Sequence, residues 1–297
     1  MNINYKNAGV NIEAGNEAVN RIKDKVKTTF SPAVLSGIGS FGSFFDLSEI
    51  VRGYKNPVMV QSIDGVGTKI IVARKLKKFD TIGRDLVSAC VNDIIVHGAR
   101  PLTFLDYIAN DRLNPDIVEQ IVGGMAEACA ASGVSLVGGE TAEMPDTYLP
   151  GEHDLVGVVT GVVEKDRIVN GARIRPGDVV VGVNSSGLHT NGFSLARKLF
   201  FEIGKYEPDQ VHPALRMTVG EALLIPHFNY ANLVLGALKA DLSIKGMAHI
   251  TGGGLPENLP RVLPADCQAK IDSAAWPKPP IFKGMQQLGD IATAEMY

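Results

Sequence analysis

The 297 residues are 45% hydrophobic and 21% charged, the composition of a globular chain with enough length for two domains and ample buried core. A formal net charge of −3 offers no field to draw a polyanion, which argues against nucleic acid as the main partner. Cys90, Cys129 and Cys267 are odd in number, far apart and without a CxxC, so neither a disulfide framework nor a zinc site is expected, and a reducing compartment suits them.

In chain order, MNINYKNAGVNI lacks the basic and apolar regions of a signal peptide, and no segment approaches the roughly 20 apolar residues that span a bilayer. A cytoplasmic protein with no membrane partner is the expectation. GIGSFG, Gly37 to Gly42, fits GxGxxG, but the preceding SPAVLS is too short and Pro-interrupted for a first strand. It reads as a flexible glycine loop whose N–H groups suit phosphates. PVMVQSI (57–63), PLTFLDYIA (101–109), VSLVGG (134–139) and DLVGVVTGVV (154–163) read as strands, rich in β-branched residues and bounded by Gly or Pro. IIVARKLKK closes a helix with its cations. Asp80 to Gly98 forms a largely buried helix, and NPDIVEQIVGGMAEACAASG forms another, with Asn114 as cap, Pro115 in the first turn and Gly133 as stop.

The polar stretch EKDRIVNGARIRPG, Glu164 to Gly177, marks a domain boundary, with domains at 1–167 and 168–297. Beyond it come strand VVVGV, turn NSSG, helix NGFSLARKLFFEIG, strand-like MAHIT and the glycines 252–254. The texture is α/β of the α+β type with mixed sheets.

Several constellations carry chemistry. In SIDGVGTK, Ser62 to Lys69, a Walker loop is excluded because Lys69 follows Thr68 and not glycine. A salt-bridged turn and a loop for a phosphate with its metal both remain open. Asp85, Ser88 and Asn92 fall within roughly 60° of one another on a helix, flanked by Asp93. Such a buried stripe needs a cation, a metal or hydrogen bonds, and a core network with an Arg such as Arg84 is the plain alternative. Asp64 from a strand end adds the oxygen chemistry that Mg²⁺ takes together with nucleotide phosphates, with Lys69 as a point charge. GGETAEMPDTY carries Glu140 and Glu143 after a strand. NSSGLHTNG leaves a strand for a helix, so Ser185, Ser186 and nearby N–H groups suit a phosphate, with His189 suited to substrate binding or proton transfer. HITGGGLPENLPRVLP repeats that form.

YKNAGVNIEAGN, DGVGTK, CVNDIIVHGA, FLDYIA, LVGGETAEMPDTY, NSSGLHTNGFSLARK and HITGGGLPENLPRVLP together resemble the phosphoribosylformylglycinamidine cyclo-ligase, or AIR synthetase, family. The match runs in order from about residue 5 to the end. The resemblance implies a homodimer that uses ATP and Mg²⁺ to close the imidazole ring of a small ribonucleotide in purine biosynthesis. Each subunit would have an N-terminal ATP, metal and dimerisation domain and a C-terminal α/β substrate domain. It implies Asp64 and Asp93 on the metal, with Gly65, Gly67, Thr68, Lys69, Asn92 and Asp93 about the ATP phosphates. Gly37, Gly39 and Gly42 would lie in a mobile cover over the nucleotide. Glu140, Ser186, Gly187, His189, Asn191, Thr251, Gly252 and Gly253 would face the ribonucleotide, with His189 and Lys69 in catalytic roles.

The family continues beyond EMY, so the resemblance also implies a second domain short of its full length, with an open sheet edge. Two further readings follow: an impaired nucleotide-binding homologue, or a related ATP-dependent phosphoryl-transfer enzyme. Of the latter, selenophosphate synthetase usually needs a reactive Cys or selenocysteine near its N-terminus, and no Cys precedes Cys90. Thiamine-phosphate kinase is not expected to combine GETAEMP with SSGLHTNG.

Overall fold

In the computed structural model, residues 9–297 are described; Tyr5 to Ala8 of the YKNAGVNIEAGN motif lie outside them. One mixed sheet organises the first half. Its strands are β1 (Pro57–Gly65), β2 (Arg100–Asn110), β3 (Ser135–Glu143) and β4 (His153–Glu164), in the order β1-β4-β2-β3. β4 runs antiparallel to both of its neighbours, while β3 runs parallel to β2. The parallel pair requires a crossover, and the helix α5 (Pro115–Ser132) supplies it. Asn114 caps that helix by accepting from Asp116 N, Pro115 occupies its first turn, and Gly133 ends it at φ 66°.

Strand periodicity sorts the side chains. Val58, Val60, Ser62 and Asp64 of β1 point to the helix-covered face, and Met59, Gln61 and Ile63 to the outer face. Helix α4 (Ile82–Ile95) lies against the inner face and is buried around most of its circumference, with α5 packed beside it by one face. Their backbones approach closely at glycines. A Cβ on Gly83 would stand 1.9 Å from Ile121 O, and one on Gly124 would stand 2.4 Å from Asp80 O. Phe104, Ile108, Leu136, Leu155 and Val159 complete a core that continues into Phe193, Leu199 and Phe200 of the second half. Full burial of each large apolar side chain contributes about 1.5–3 kcal/mol.

The second half differs from the expected strand-turn-helix plan. Among the described residues it contains the two-residue strands β5 (Val211–His212) and β6 (Met217–Thr218). VVVGV and MAHIT are not strands. Val179, Val180, Val181 and Val183 are exposed, at 85%, 52%, 79% and 57%, and have no ladder partner among the described residues. A β-rich sequence becomes a strand only when a neighbour supplies its hydrogen bonds. The expected helix at 191–204 forms as α6 (Phe193–Arg197), continued by a π-helical turn at Lys198–Ile203. Helix α3 (Lys69–Leu76) ends at Lys77, φ 53°, with Arg74 and Lys75 in its last turn as expected.

Candidate functional site

The site lies where the C-terminal end of β1 and the buried stripe of α4 meet three turns of the second half. Ser62 Oγ donates to Asp93 Oδ2 at 2.9 Å, joining strand to helix. On its other oxygen Asp93 accepts from His249 Nδ1 at 2.8 Å, which puts a proton on Nδ1 and, in the neutral ring, leaves the lone pair on Nε2. That Nε2 is buried without a hydrogen-bond partner. Asp64 accepts from Gly65 N at 2.7 Å, and burial, with Asp93 adding repulsion, holds its carboxyl above the ordinary range.

Lys69 is placed differently from the expectation of a phosphate counter-charge. It is fully buried at the start of α3, and its three donors go to Asp85 Oδ1 at 2.9 Å, Ile225 O at 2.8 Å and His189 O at 3.1 Å. No N–H remains for a phosphate, because an ammonium has three. Asp85, also fully buried, accepts from His227 N at 2.7 Å as well. The stripe thus resolves into an ion pair with a lysine; Arg84 reaches Glu127 on the surface. Asn92 is likewise committed. Its amide donates to Phe228 O at 2.9 Å and His227 Nε2 at 3.1 Å and accepts from Tyr230 N at 3.0 Å, so it organises a protein turn.

His189 occupies a left-handed conformation, φ 59°, in the turn before α6. Its Nε2 accepts from Ser186 N at 3.1 Å, so the ring proton sits on Nδ1. Burial first, and then the neighbouring His249 and Lys69, lower its pKa to about 4. At neutral pH it is therefore a donor through Nδ1. The ring stacks on His227 at 4.0 Å, and His227 stands 5.4 Å from His249. Burial also drives the His227 pKa down, and its Nδ1 faces Thr190 Oγ1 at 3.4 Å.

The remaining candidates divide. Gly67, φ 55°, has room for a Cβ 3.6 Å from Thr190 O, and Thr68 Oγ1 is 3.3 Å from Ser194 Oγ, so the DGVGTK and HTNG turns meet. At Gly65 a Cβ would lie 3.0 Å from Leu155 O. Ser186 Oγ donates to Pro226 O at 2.6 Å, and Gly187 is buried beside it. Asn191 Oδ1 is 3.8 Å from the place of a Cβ on Gly252, which brings the TGGG turn alongside. Asn258 knits that turn by donating to Gly252 O at 3.1 Å and Gly254 O at 2.8 Å; Thr251 Oγ1 lies 3.3 Å from Asn258 Oδ1, and Gly253 takes φ 84°.

Glu140 is not brought to Asp64. It pairs in register with Tyr107 on the outer sheet face, whereas Asp64 belongs to the inner face. Glu143 ties backbone together, accepting from Leu113 N at 3.0 Å and from Asn11 N. Gly37, Gly39 and Gly42 lie in an exposed loop closed on itself by Leu35 N to Phe44 O at 2.9 Å and Phe44 N to Ser36 Oγ at 3.0 Å. An added Cβ at any of these three glycines meets nothing within 4 Å.

Sequence reasoning missed the roles of His227 and His249. His249 stood in plain view before TGGG; His227, in IPHFNY, had no surrounding pattern to mark it. The donor chemistry fits Mg²⁺. Two carboxylates lie close enough to repel, and Mg²⁺ takes one or two protein carboxylates with water and phosphate oxygens. Among the described residues no group of three His, Cys, Asp or Glu forms a closed cage.

Two family descriptions match the chain: the N-terminal domain of AIR synthase related proteins over residues 47–163 and their C-terminal domain over 175–297. The phosphoribosylformylglycinamidine cyclo-ligase of Trichlorobacter lovleyi is 50% identical over 293 residues, covering 99% of this chain and 83% of that protein. The one of Thermoanaerobacter pseudethanolicus is 48% identical over 295 residues, covering 99% and 86%. Among solved structures, thiamine-monophosphate kinase from Stenotrophomonas maltophilia aligns with a TM-score of 0.54 at 20% identity, over 73% of this chain and 63% of that one. That likeness concerns the fold alone.

Proposed function

The chain belongs to the phosphoribosylformylglycinamidine cyclo-ligase family, and on that premise we infer that it closes formylglycinamidine ribonucleotide to aminoimidazole ribonucleotide, converting ATP to ADP and phosphate. The formamide oxygen takes the γ-phosphoryl group, the amidine nitrogen attacks the activated carbon, and phosphate departs with the oxygen. Activation is needed because an amide oxygen leaves poorly and phosphate leaves well. The protein's work is positioning and charge stabilisation.

The observation that carries this reading is the convergence of Asp93 and His249, 156 residues apart in sequence, next to Asp64. Asp64 and Asp93 would hold Mg²⁺, which supplies charge neutralisation for ATP phosphates when bound. His249 Nε2, buried without a partner, would take the proton that the attacking amidine nitrogen loses, with Asp93 stabilising the resulting imidazolium. His189 Nδ1–H serves as a hydrogen-bond donor to substrate. The Ser186, Asn191 and Gly252 turns orient the ribonucleotide, and the exposed Gly37–Gly42 loop covers the nucleotide.

A homodimer is part of the proposal. Met59, Ile63 and Leu105 stand exposed on the outer sheet face, 66%, 68% and 42%, which is apolar area that a second copy would bury. No described helix is long and apolar enough to cross a membrane. A coupled ADP assay tests the activity: release must depend on formylglycinamidine ribonucleotide and collapse in Asp64→Asn. Substrate-independent release, or unchanged turnover in the variant, contradicts the proposal.

A further inference from the structure

We propose that the Lys69–Asp85 ion pair is a positioning clasp that locks the His189 and His227 turns of the second half onto the metal-side elements of the first. This rests on the cyclo-ligase reading for its catalytic meaning and on geometry for its existence. Lys69 begins α3 and Asp85 lies on α4, and neither has any exposed surface. Between them they bind three backbone groups far away in sequence. Lys69 Nζ donates to His189 O at 3.1 Å, 120 residues on, and to Ile225 O at 2.8 Å, 156 residues on. Asp85 Oδ1 accepts from His227 N at 2.7 Å, 142 residues on.

Stability alone explains such a pair badly. Desolvating two charges costs about as much as their attraction returns, and well-packed apolar residues of similar volume often replace a buried pair without loss. Asp85 Oδ2 is moreover buried without a partner, a cost that an apolar side chain avoids. Apolar replacements cannot grip two carbonyls and an N–H from two different turns. That grip holds His189 in its left-handed conformation and places its ring 4.0 Å from His227, with His249 next in line. Phe193 of α6 packs over the same ammonium, its ring centroid 5.5 Å from Nζ. Lys69 and Asp85 touch no position open to substrate, so both act through the turns they hold.

The test is the paired variant Lys69→Met/Asp85→Leu in the full chain, read by hydrogen exchange, thermal melting and steady-state kinetics. The expected result is a folded protein with amide protection in 184–192 and 224–231 reduced about 10-fold or more. Protection in α4 and β1 is retained, kcat falls at least 10-fold, and the KM for ATP changes less than 2-fold. Unchanged protection in both turns with unchanged kcat overturns the proposal; so does a uniform loss of protection across the fold. Should the pair of substitutions prevent folding, Lys69→Met alone is read in the same way, because the lone Asp85 carboxyl can neutralise itself by protonation. A wild-type chain that makes no ADP with formylglycinamidine ribonucleotide, beside a variant with locally lost protection, refutes the cyclo-ligase reading and leaves the clasp intact.

Discussion

His249 donates its Nδ1 proton to Asp93 at 2.8 Å and keeps Nε2 buried with no partner. A carboxylate behind an imidazole fixes the tautomer and stabilises the imidazolium, so the free lone pair is oriented as a base.

His249→Ala is therefore expected to lower kcat by about 10²- to 10⁴-fold, the usual worth of a positioned acid-base group. ATP affinity, measured by titration under non-turnover conditions, should change little. His189→Asn should cost less, because its Nε2 is occupied by Ser186 N–H and its part is donation and shape. A His249 variant with turnover within about 3-fold of wild type would remove it from the proton path.

Asp64 carries the prediction for the metal. Its carboxyl is raised by burial and by Asp93, and no lysine or arginine lies among the causes of its shift. Asp64→Asn removes a repulsion and an anionic ligand together. The variant should melt no lower than wild type without Mg²⁺, while its kcat/KM falls by about 10²-fold or more, since charge neutralisation at a phosphoryl centre is worth several kcal/mol. The Mg²⁺-dependent rise in melting temperature expected of the wild type with ATP should shrink with it. A normal Mg²⁺ response in Asp64→Asn would falsify the assignment.

Gly83 tests the frame behind the site. A methyl there would meet Ile121 O at 1.9 Å and Met125 N at 2.6 Å, both backbone atoms of α5. Neither can yield without parting α5 from α4, the helix that carries Asp85, Asn92 and Asp93. Gly83→Ala should destabilise by about 2–4 kcal/mol in urea unfolding despite alanine's better helix propensity. Gly15→Ala, with open space around it on the first helix (Ile12–Lys27), should be neutral or slightly stabilising. Equal behaviour of the two would contradict the close packing.

The first half was legible because its signals are local and its partners lie within it. Asn114, Pro115 and Gly133 each act within one turn of the helix they bound, and the alternation in β1 and β4 reports one covered face. The stripe of Asp85 and Asn92 announced a buried polar network correctly, yet its partners were invisible. Apart from Lys69 Nζ and the His227 ring, they are backbone atoms at 227, 228 and 230, and backbone carries no residue-specific signal. Lys69 suits a phosphate by sequence for the same reason: the residues show a cation beside glycines but not that its donors go to Asp85, His189 O and Ile225 O. Val179–Val183 shows the opposite failure. Its β propensity is real, but a strand is a relationship with a neighbour, and the described residues contain none for it.

The last prediction concerns pH, where Asp85 of the clasp and the His189 that it holds pull in opposite directions. His189 has its pKa lowered from 6.5 to about 4, so the unfolded chain takes up its proton first as the solution is acidified. Its contribution to stability is complete above about pH 6.5 and is lost as pH falls through 4. Protonation would also turn the Nε2 acceptor for Ser186 N–H into a donor. Asp85 has its pKa raised from 3.8 to about 6, with burial outweighing the attraction of Lys69. Its contribution is complete below about 3.8 and is lost as pH rises through 6. Between pH 4 and 6 the slopes oppose, which flattens the acid side of the wild-type stability curve. His189→Asn should flatten it further or invert it, and Asp85→Asn should steepen it, whatever offset each variant adds. Chemical denaturation of the three proteins at half-unit steps from pH 4 to 7.5 measures this directly. Parallel curves would mean that neither group titrates differently in the folded and unfolded chain, and would remove the electrostatic account of the clasp.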